Sequence, residues 1–186
     1  MTSVNQNISN SVSLVSGSPN VMSSSRRIGA LILDKLSERK FETNIIDLST
    51  LNSEALLGRK DDADVSSALE KVDEARIIVI TSPIYRATYT GLLKVFFDLM
   101  PQGGLTGKIC VPVATGGGNM HQLAVDHGLR PLVASLEGLT VANAIFATSN
   151  DLTEDTPSDA LRNMLDNVMY ELDSLCLLYT SPSPRD

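Results

Sequence analysis

The chain has 186 residues, of which 42% are hydrophobic and 20% charged, and this composition fits one compact domain with a sizeable core. Acidic residues outnumber basic ones by 22 to 15, and the net charge of -7 argues against a general affinity for nucleic acid or for anionic membranes. No apolar stretch approaches the roughly 18 residues of a membrane-spanning helix, and the first residues lack a signal-peptide pattern. These features predict a cytoplasmic protein.

The two ends of the chain differ from the part between them. Residues 1–10 are polar, rich in Asn and Ser, and predicted to be disordered. Residues 176–186 do not continue the amphipathic pattern before them and match the translation of a transposon-end adapter used in sequencing libraries, so we interpret them as foreign. A natural flexible tail rich in Ser and Pro is the alternative. The predicted domain therefore covers residues 11–175.

Strand and helix patterns alternate along this domain. Short apolar runs predict five strands, at residues 12–16, 44–48, 77–81, 109–114 and 141–147. The third run begins with four consecutive apolar residues, which is typical of a parallel strand covered on both faces. Pro112 lies inside the fourth run, and because proline has no backbone N–H, we expect a bulge or an edge position there.

Apolar residues recur with helical spacing between these strands. The predicted helices lie around residues 28–36, 65–72, 92–100, 120–136 and 161–172. Strands that alternate with helices predict a parallel sheet with right-handed crossovers. The predicted fold is therefore α/β, with a flavodoxin-like doubly wound five-stranded parallel sheet in the order 2-1-3-4-5 and helices on both faces.

The loop after the first strand, residues 17–26, has the character of an anion site. In such a sheet the ligand lies beyond the carboxyl ends of the strands, where the loops after strands one, three and four converge. This loop offers backbone N–H groups, a helix N-terminus and serine hydroxyls to a phosphate. Its candidate ligands are Ser18, Ser23, Ser24, Ser25 and either Arg26 or Arg27. A serine N-cap after a flexible turn is the alternative.

The other two loops are also unusual. After the third strand, Pro83 and Tyr85 form a rigid turn with an aromatic side chain that could flank a planar ring, although a tyrosine that caps the core is the alternative. After the fourth strand, glycines at residues 116–118 would let the backbone approach a ligand closely, although a mobile connection is the alternative. Three such loops at one sheet edge favour a ligand site.

Four segments of the sequence together resemble the NADPH-dependent FMN reductase family. These segments are residues 17–19, 81–94, 98–101 and 114–118. The most similar subgroup comprises the FMN reductases of two-component alkanesulfonate and methanesulfonate monooxygenase systems. The resemblance implies an enzyme that transfers hydride from NADPH or NADH to flavin N5, supplies reduced FMN to a partner monooxygenase, and assembles as a homodimer or homotetramer.

The resemblance also implies which residues bind FMN. By this resemblance, the FMN phosphate would be bound by Ser18, Ser23, Ser25 and Arg26. The isoalloxazine ring would lie along Pro83, Ile84 and Tyr85, and its polar edge would contact Thr115, Gly116 and Gly117. No catalytic acid or base is required, because the cofactor carries the redox chemistry. Asn20 departs from the family, which commonly has Arg at this position.

The predicted fourth helix has a break in its apolar pattern. Residues 120–124 set one apolar phase and residues 129–136 another, offset by one residue, as a π-bulge produces. In the sulfonate-linked reductases an inserted residue makes a π-helix at the subunit interface, and His127 occupies the matching position. A kink at Pro131 is the alternative. Neither His121 nor His127 is predicted to be catalytic or to bind a metal.

Two other functions stay open on the sequence alone. One is an enzyme that keeps FMN bound and reduces quinones, azo dyes or metal oxyanions. The other is a flavodoxin-like electron carrier, which the absence of Trp and an aromatic content of 4% make a poor fit. The sequence does not decide between NADPH and NADH, because no basic pair is clearly placed to meet a 2′-phosphate.

Overall fold

The computed structural model describes residues 10–148, 150–154 and 156–180. Most of the predicted N-terminal tail and the last six residues of the predicted foreign segment lie outside these ranges. Six strands form the main sheet: β1 (Ser11–Ser16), β2 (Glu42–Asp47), β3 (Ile77–Pro83), β4 (Ile109–Gly116), β5 (Leu139–Thr140) and β6 (Ile145–Thr148).

Helices connect these strands, as the sequence predicts. They are α1 (Ser24–Glu38), α2 (Ser53–Leu56), α3 (Ala63–Glu74), α4 (Gly91–Asp98), α5 (Arg130–Ser135) and α6 (Asp159–Thr180). A hairpin of β7 (Leu152–Thr153) and β8 (Thr156–Pro157) precedes α6, and a π-helix, Val125–Leu129, precedes α5. Within the described ranges, no helix combines the length and the apolar character needed to cross a membrane.

All strand pairs of the main sheet are parallel. The order is β2-β1-β3-β4, and both β5 and β6 pair with the outer side of β4. The predicted flavodoxin-like order is therefore confirmed. One apolar layer joins the sheet to α1 and α6, and the other joins it to α3, α4, α5 and the π-helix. Because successive residues of a strand alternate between these layers, β3 and β4 contribute apolar side chains to both faces of the sheet.

The fifth strand is interrupted, which the sequence did not indicate. The strand predicted at residues 141–147 corresponds only to β6 in its last three residues; β5 lies before the predicted run, and residues 141–144 belong to neither strand. Cys110 pairs with Thr140 and Val113 with Ile145, so two residues of β4 face four residues of its partner. The expectation of a bulge or edge position at Pro112 is wrong for β4, which is continuous and central. The irregularity lies in the neighbouring strand, opposite the residue that lacks an N–H.

Two charged side chains hold the interrupted segment. Arg130 donates from Nη1 to the carbonyl of Val141 and from Nη2 to that of Ala142, both at 2.6 Å. On α6, Glu171 accepts the N–H groups of Ala142 at 2.5 Å and Asn143 at 2.8 Å. Side chains thus satisfy backbone groups that a continuous ladder would pair. Partial burial by itself raises the pKa of Glu171, but the N–H donors of Asn143 and Ala142 and the charge of Arg130 outweigh it, so this pKa is lowered.

The last helix continues beyond the predicted end of the domain. α6 extends to Thr180, and the Arg76 guanidinium donates to the carbonyl of Cys176 at 3.1 Å. The helix is therefore not broken at residue 176, contrary to the expectation from the amphipathic pattern. A native domain that ends at Leu175 stays a prediction.

We expect Glu171→Gln to lower the free energy of unfolding at pH 7 by about 1 kcal/mol, because the charge-assisted bonds to residues 142 and 143 are weakened. Since the folded pKa of Glu171 is lowered, its contribution is present above the unfolded value of about 4.3 and is lost as the pH falls through the folded value. Urea unfolding should therefore show a difference from the wild type that shrinks below about pH 4.

The matched control is Glu70→Gln, at an exposed position of α3, which should be neutral at every pH. A difference for Glu171→Gln that stays constant from neutral to acid pH would contradict the role of the carboxylate.

Candidate functional site

A cleft of about 270 Å³ lies at the carboxyl edge of the sheet, where the loops after β1, β3 and β4 meet. Its lining residues are Ser18, Asn20, Ser23, Ser24, Pro83, Ile84, Tyr85, Thr115, Gly116 and Gly117. The structure thus brings together eight of the ten FMN-binding residues implied by the resemblance and leaves out Ser25 and Arg26. It adds Ser24, which lies in the predicted phosphate loop, and Asn20, the residue that departs from the family.

The first loop is held close to the sheet by its backbone. The N–H of Gly17 donates to the carbonyl of Thr81 at 2.8 Å, which ties the end of β1 to β3. A Cβ on Gly17 would lie 2.7 Å from the Cβ of Leu93, so only glycine fits between the loop and α4. Ser18 Oγ accepts the N–H of Asn20 at 3.1 Å, and Ser23 caps α1 by accepting the N–H of Arg26 at 3.3 Å. The hydroxyl hydrogen of Ser18 remains available as a donor, whereas Ser23 Oγ also lies 3.3 Å from Ser25 Oγ, so either of these two hydroxyls can donate to the other.

Two predicted phosphate ligands lie elsewhere. Ser25 is fully buried, and its Oγ lies 3.3 Å from that of Ser23. Arg26 forms a forked ion pair with Asp47 at the end of β2, in which Nε contacts Oδ1 at 2.9 Å and Nη2 contacts Oδ2 at 3.0 Å. Its positive charge is therefore matched by a carboxylate of the protein.

The second loop forms a tight hairpin turn. The backbone groups of Tyr85 and Thr88 exchange hydrogen bonds of 2.9 and 3.3 Å, and the two residues between them, Arg86 and Ala87, have φ of 52° and 71°. Such left-handed conformations cost a non-glycine residue roughly 1–2 kcal/mol. The turn leaves the Tyr85 side chain half exposed beside the cleft.

A buried threonine joins the first two loops. The Thr90 hydroxyl donates to the carbonyl of Gly17 at 2.5 Å and accepts the N–H of Leu93 at 3.1 Å, so it also caps α4. The N–H of Thr90 donates to Ser82 Oγ at 3.0 Å. The second loop is connected to the third by the N–H of Ile84, which donates to the carbonyl of Thr115 at 2.7 Å. The three loops therefore form one hydrogen-bonded unit.

The third loop presents bare backbone. A Cβ on Gly117 or Gly118 would meet no protein atom within 4 Å, so a ligand could approach the main chain there. At Gly116, by contrast, a Cβ would lie 2.9 Å from Cζ of Phe146, so the start of the loop is packed against β6.

The π-helix predicted from the slip in apolar phase is confirmed. His127 lies in its middle and is exposed, and Pro131 follows in the first turn of α5. Of the earlier apolar phase only Ala124 is buried, since Met120 is 94% exposed and Leu123 63% exposed.

The π-helix packs its backbone against the second loop. A Cβ on Gly128 would lie 2.8 Å from Thr88 Oγ1, so the wider helical turn comes close to the hairpin that follows Tyr85. In the described part of the chain, no group of three or more His, Cys, Asp or Glu side chains could hold a metal ion.

A doubly wound sheet with a serine-rich loop, an aromatic turn and a glycine loop at its carboxyl edge defines a flavodoxin-like protein with a site suited to a flavin nucleotide. The sequence profile of the NADPH-dependent FMN reductase family matches residues 11–153, and the chain belongs to that family. The predicted enzyme class and the use of FMN with NADPH or NADH are thereby confirmed.

Individual relatives agree with this assignment. The chain is 31% identical to an FMN reductase (NADPH) of Escherichia coli K12, over 75% of this chain and 74% of the relative. It is 32% identical to the NADH-dependent FMN reductase SfnF of Pseudomonas putida, over 84% and 90% of the two chains. The apo crystal structure of an NADH:FMN oxidoreductase (EMOB) superimposes with a TM-score of 0.83 at 32% identity, covering 94% of this chain and 91% of the other.

We expect Thr90→Val to lower the free energy of unfolding by about 1–3 kcal/mol, because it leaves the carbonyl of Gly17 without its donor and α4 without its cap. The same change should weaken FMN binding, since the first two loops are no longer joined. Urea unfolding and titration of FMN fluorescence measure the two effects.

Thr90→Ser keeps the hydroxyl and should retain most of both properties. If the valine and serine variants unfold at the same urea concentration, the hydrogen bond between the loops does not contribute to stability.

Proposed function

We propose that this chain reduces FMN with NADPH or NADH and supplies the reduced FMN to a partner flavin-dependent monooxygenase of the sulfonate-sulfur assimilation type. The observation that carries the proposal is the convergence of the three loops on one uncharged cleft. The sulfonate-linked partner is supported by the resemblance of residues 81–101 to the reductases of those systems. The predicted cytoplasmic location stays a prediction.

The donor set of the first loop fits a phosphate. In the proposed complex, the hydroxyls of Ser18, Ser23 and Ser24 and the backbone N–H groups at the start of α1 bind the FMN phosphate. The amide of Asn20 supplies a further donor at the position where the family commonly has Arg. A fifteen-residue helix that begins in this loop adds the positive end of its dipole, which stabilises an anion without a basic side chain.

The other two loops fit a planar ring. Pro83, Ile84 and Tyr85 supply apolar and aromatic surface along the isoalloxazine, and the backbone of Thr115, Gly116 and Gly117 supplies hydrogen-bonding groups for its polar edge. When bound, FMN supplies the redox chemistry, because its N5 accepts hydride from C4 of the nicotinamide. The protein orients the two reactants, and the hydrogen bonds of Thr90 keep the loops in position for this.

We also propose a homodimer or homotetramer. Met120 and Leu123 support an interface beside the π-helix, since two strongly exposed apolar side chains in one short segment favour burial against another surface.

The purified protein should oxidise NADPH or NADH at a rate that depends on added FMN, with saturation in both substrates. Steady-state absorbance at the coenzyme band measures this rate, and adding a flavin-dependent monooxygenase should consume the reduced FMN. Turnover that is independent of added FMN, by protein that purifies with tightly bound flavin, would instead indicate a reductase of other acceptors.

The phosphate assignment can be tested by comparing FMN with riboflavin, which lacks the phosphate. Ser18→Ala should raise the Kd for FMN about tenfold, as loss of one hydrogen bond to a charged group predicts, and leave the Kd for riboflavin unchanged. Ser37→Ala, at an exposed position of α1, is the control. An equal effect on both flavins would show that Ser18 does not contact the phosphate.

A further inference from the structure

The cleft has no basic side chain that could bind the phosphates of the second substrate, the nicotinamide coenzyme. NADPH and NADH both carry a pyrophosphate, and NADPH carries a further 2′-phosphate. The ten residues that line the cleft include no charged side chain, and the whole chain has a net charge of -7. A multiply charged anion would therefore meet an acidic protein unless a basic side chain lies next to the cleft.

Most basic side chains are already engaged with other groups of the protein. Those in ion pairs are Arg26, Lys35, Arg39, Arg59, Lys94, Arg130 and Arg162. Arg76 and Lys108 donate to backbone carbonyls. Arg86 is exposed and, in the described part of the chain, makes no ion pair or side-chain hydrogen bond. It directly follows Tyr85, which lines the cleft.

The backbone conformation at position 86 is unfavourable for arginine. It is the first of two left-handed residues in a two-residue hairpin turn, where Asn-Gly and Asp-Gly are the preferred sequences. The left-handed residues Lys40 and Glu137 differ, because each follows the end of a helix, where this conformation commonly terminates the helix. An arginine at position 86 lowers the stability of the turn, so its side chain needs another explanation.

We propose that Arg86 binds a phosphate group of the nicotinamide coenzyme and thereby determines the affinity of this chain for NADPH or NADH. The guanidinium suits this role, because its forked N–H groups match two phosphate oxygens. The tight turn keeps the arginine beside the ring-binding residue Tyr85, so one loop serves both substrates. This inference rests on the proposed reduction of FMN by NAD(P)H.

Arg86→Asn tests the proposal, because asparagine removes the charge but accepts the left-handed conformation. We expect its Tm to rise by about 2 °C as strain is relieved. We also expect the KM for the coenzyme to rise about tenfold with little change in kcat, as loss of a bond to a charged group predicts. Calorimetric titration of NADP⁺ and NAD⁺ into the wild type and the variant gives the loss of affinity without turnover.

Lys40→Asn is the matched control. Lys40 is also an exposed cation in a left-handed conformation, with φ of 67°, but it precedes β2 at the opposite edge of the sheet. This variant should show the same rise in Tm and no change in KM or Kd. If the role of Arg86 were purely structural, Arg86→Asn would behave like this control, with a higher Tm and an unchanged affinity for the coenzyme.

Each outcome decides the proposal. A loss confined to NADP⁺ and NADPH assigns Arg86 to the 2′-phosphate, and an equal loss for both coenzymes assigns it to the pyrophosphate. Unchanged KM and Kd in Arg86→Asn, with an active wild type, overturn the role of Arg86 and leave the reductase proposal intact. A wild type that binds the coenzyme through Arg86 but does not reduce FMN would instead overturn only the reductase proposal.

Discussion

The parallel register of β1, β3 and β4 is the constraint on which the cleft depends. Ser16 pairs with Thr81, and Pro83 pairs with Thr115, so the three loops leave the sheet at the same edge and within hydrogen-bonding distance of one another. The register follows from the two apolar layers, because a one-residue shift of a strand would exchange the side chains that each layer buries. Burial of the sheet on both faces therefore determines where the loops meet, whatever residues the loops contain.

Structural features that depend on neighbouring residues in the sequence are predictable from it, and those that depend on contacts between residues far apart in the sequence are not. The apolar runs predict the strands, and their alternation with helices predicts a doubly wound parallel sheet. The one-residue slip predicts the π-helix because helical phase is visible along the chain. The interruption of the fifth strand depends on Arg130 and Glu171, which lie 11 and 29 residues from their backbone partners. Likewise, no feature of the serine loop indicates that Arg26 contacts Asp47, 21 residues further on.

The ion pair of Arg26 and Asp47 changes the electrostatic interpretation of the serine loop. The two side chains are only 27% and 17% exposed, so transfer of the guanidinium to a ligand would leave a partly buried carboxylate without its partner. That loss costs on the order of 1–3 kcal/mol, which is comparable to what the new contact would contribute. In the proposed complex, hydroxyl and backbone dipoles therefore bind the FMN phosphate, and Arg26 stays paired with Asp47. The positive charge that binds the coenzyme is that of Arg86.

Several energetically unfavourable local features lie at the edge of the sheet that carries the cleft. Arg86 and Ala87 adopt left-handed conformations, and in the described part of the chain the buried hydroxyls of Ser16 and Thr81 have no hydrogen-bond partner. Each such feature costs on the order of 1 kcal/mol or more, and the two apolar layers supply the stability that tolerates them. Local costs of this kind are expected at positions where ligand binding, rather than the stability of the fold, determines which residue is present. The hairpin after Tyr85 can carry this strain because it lies in a loop outside the buried strands.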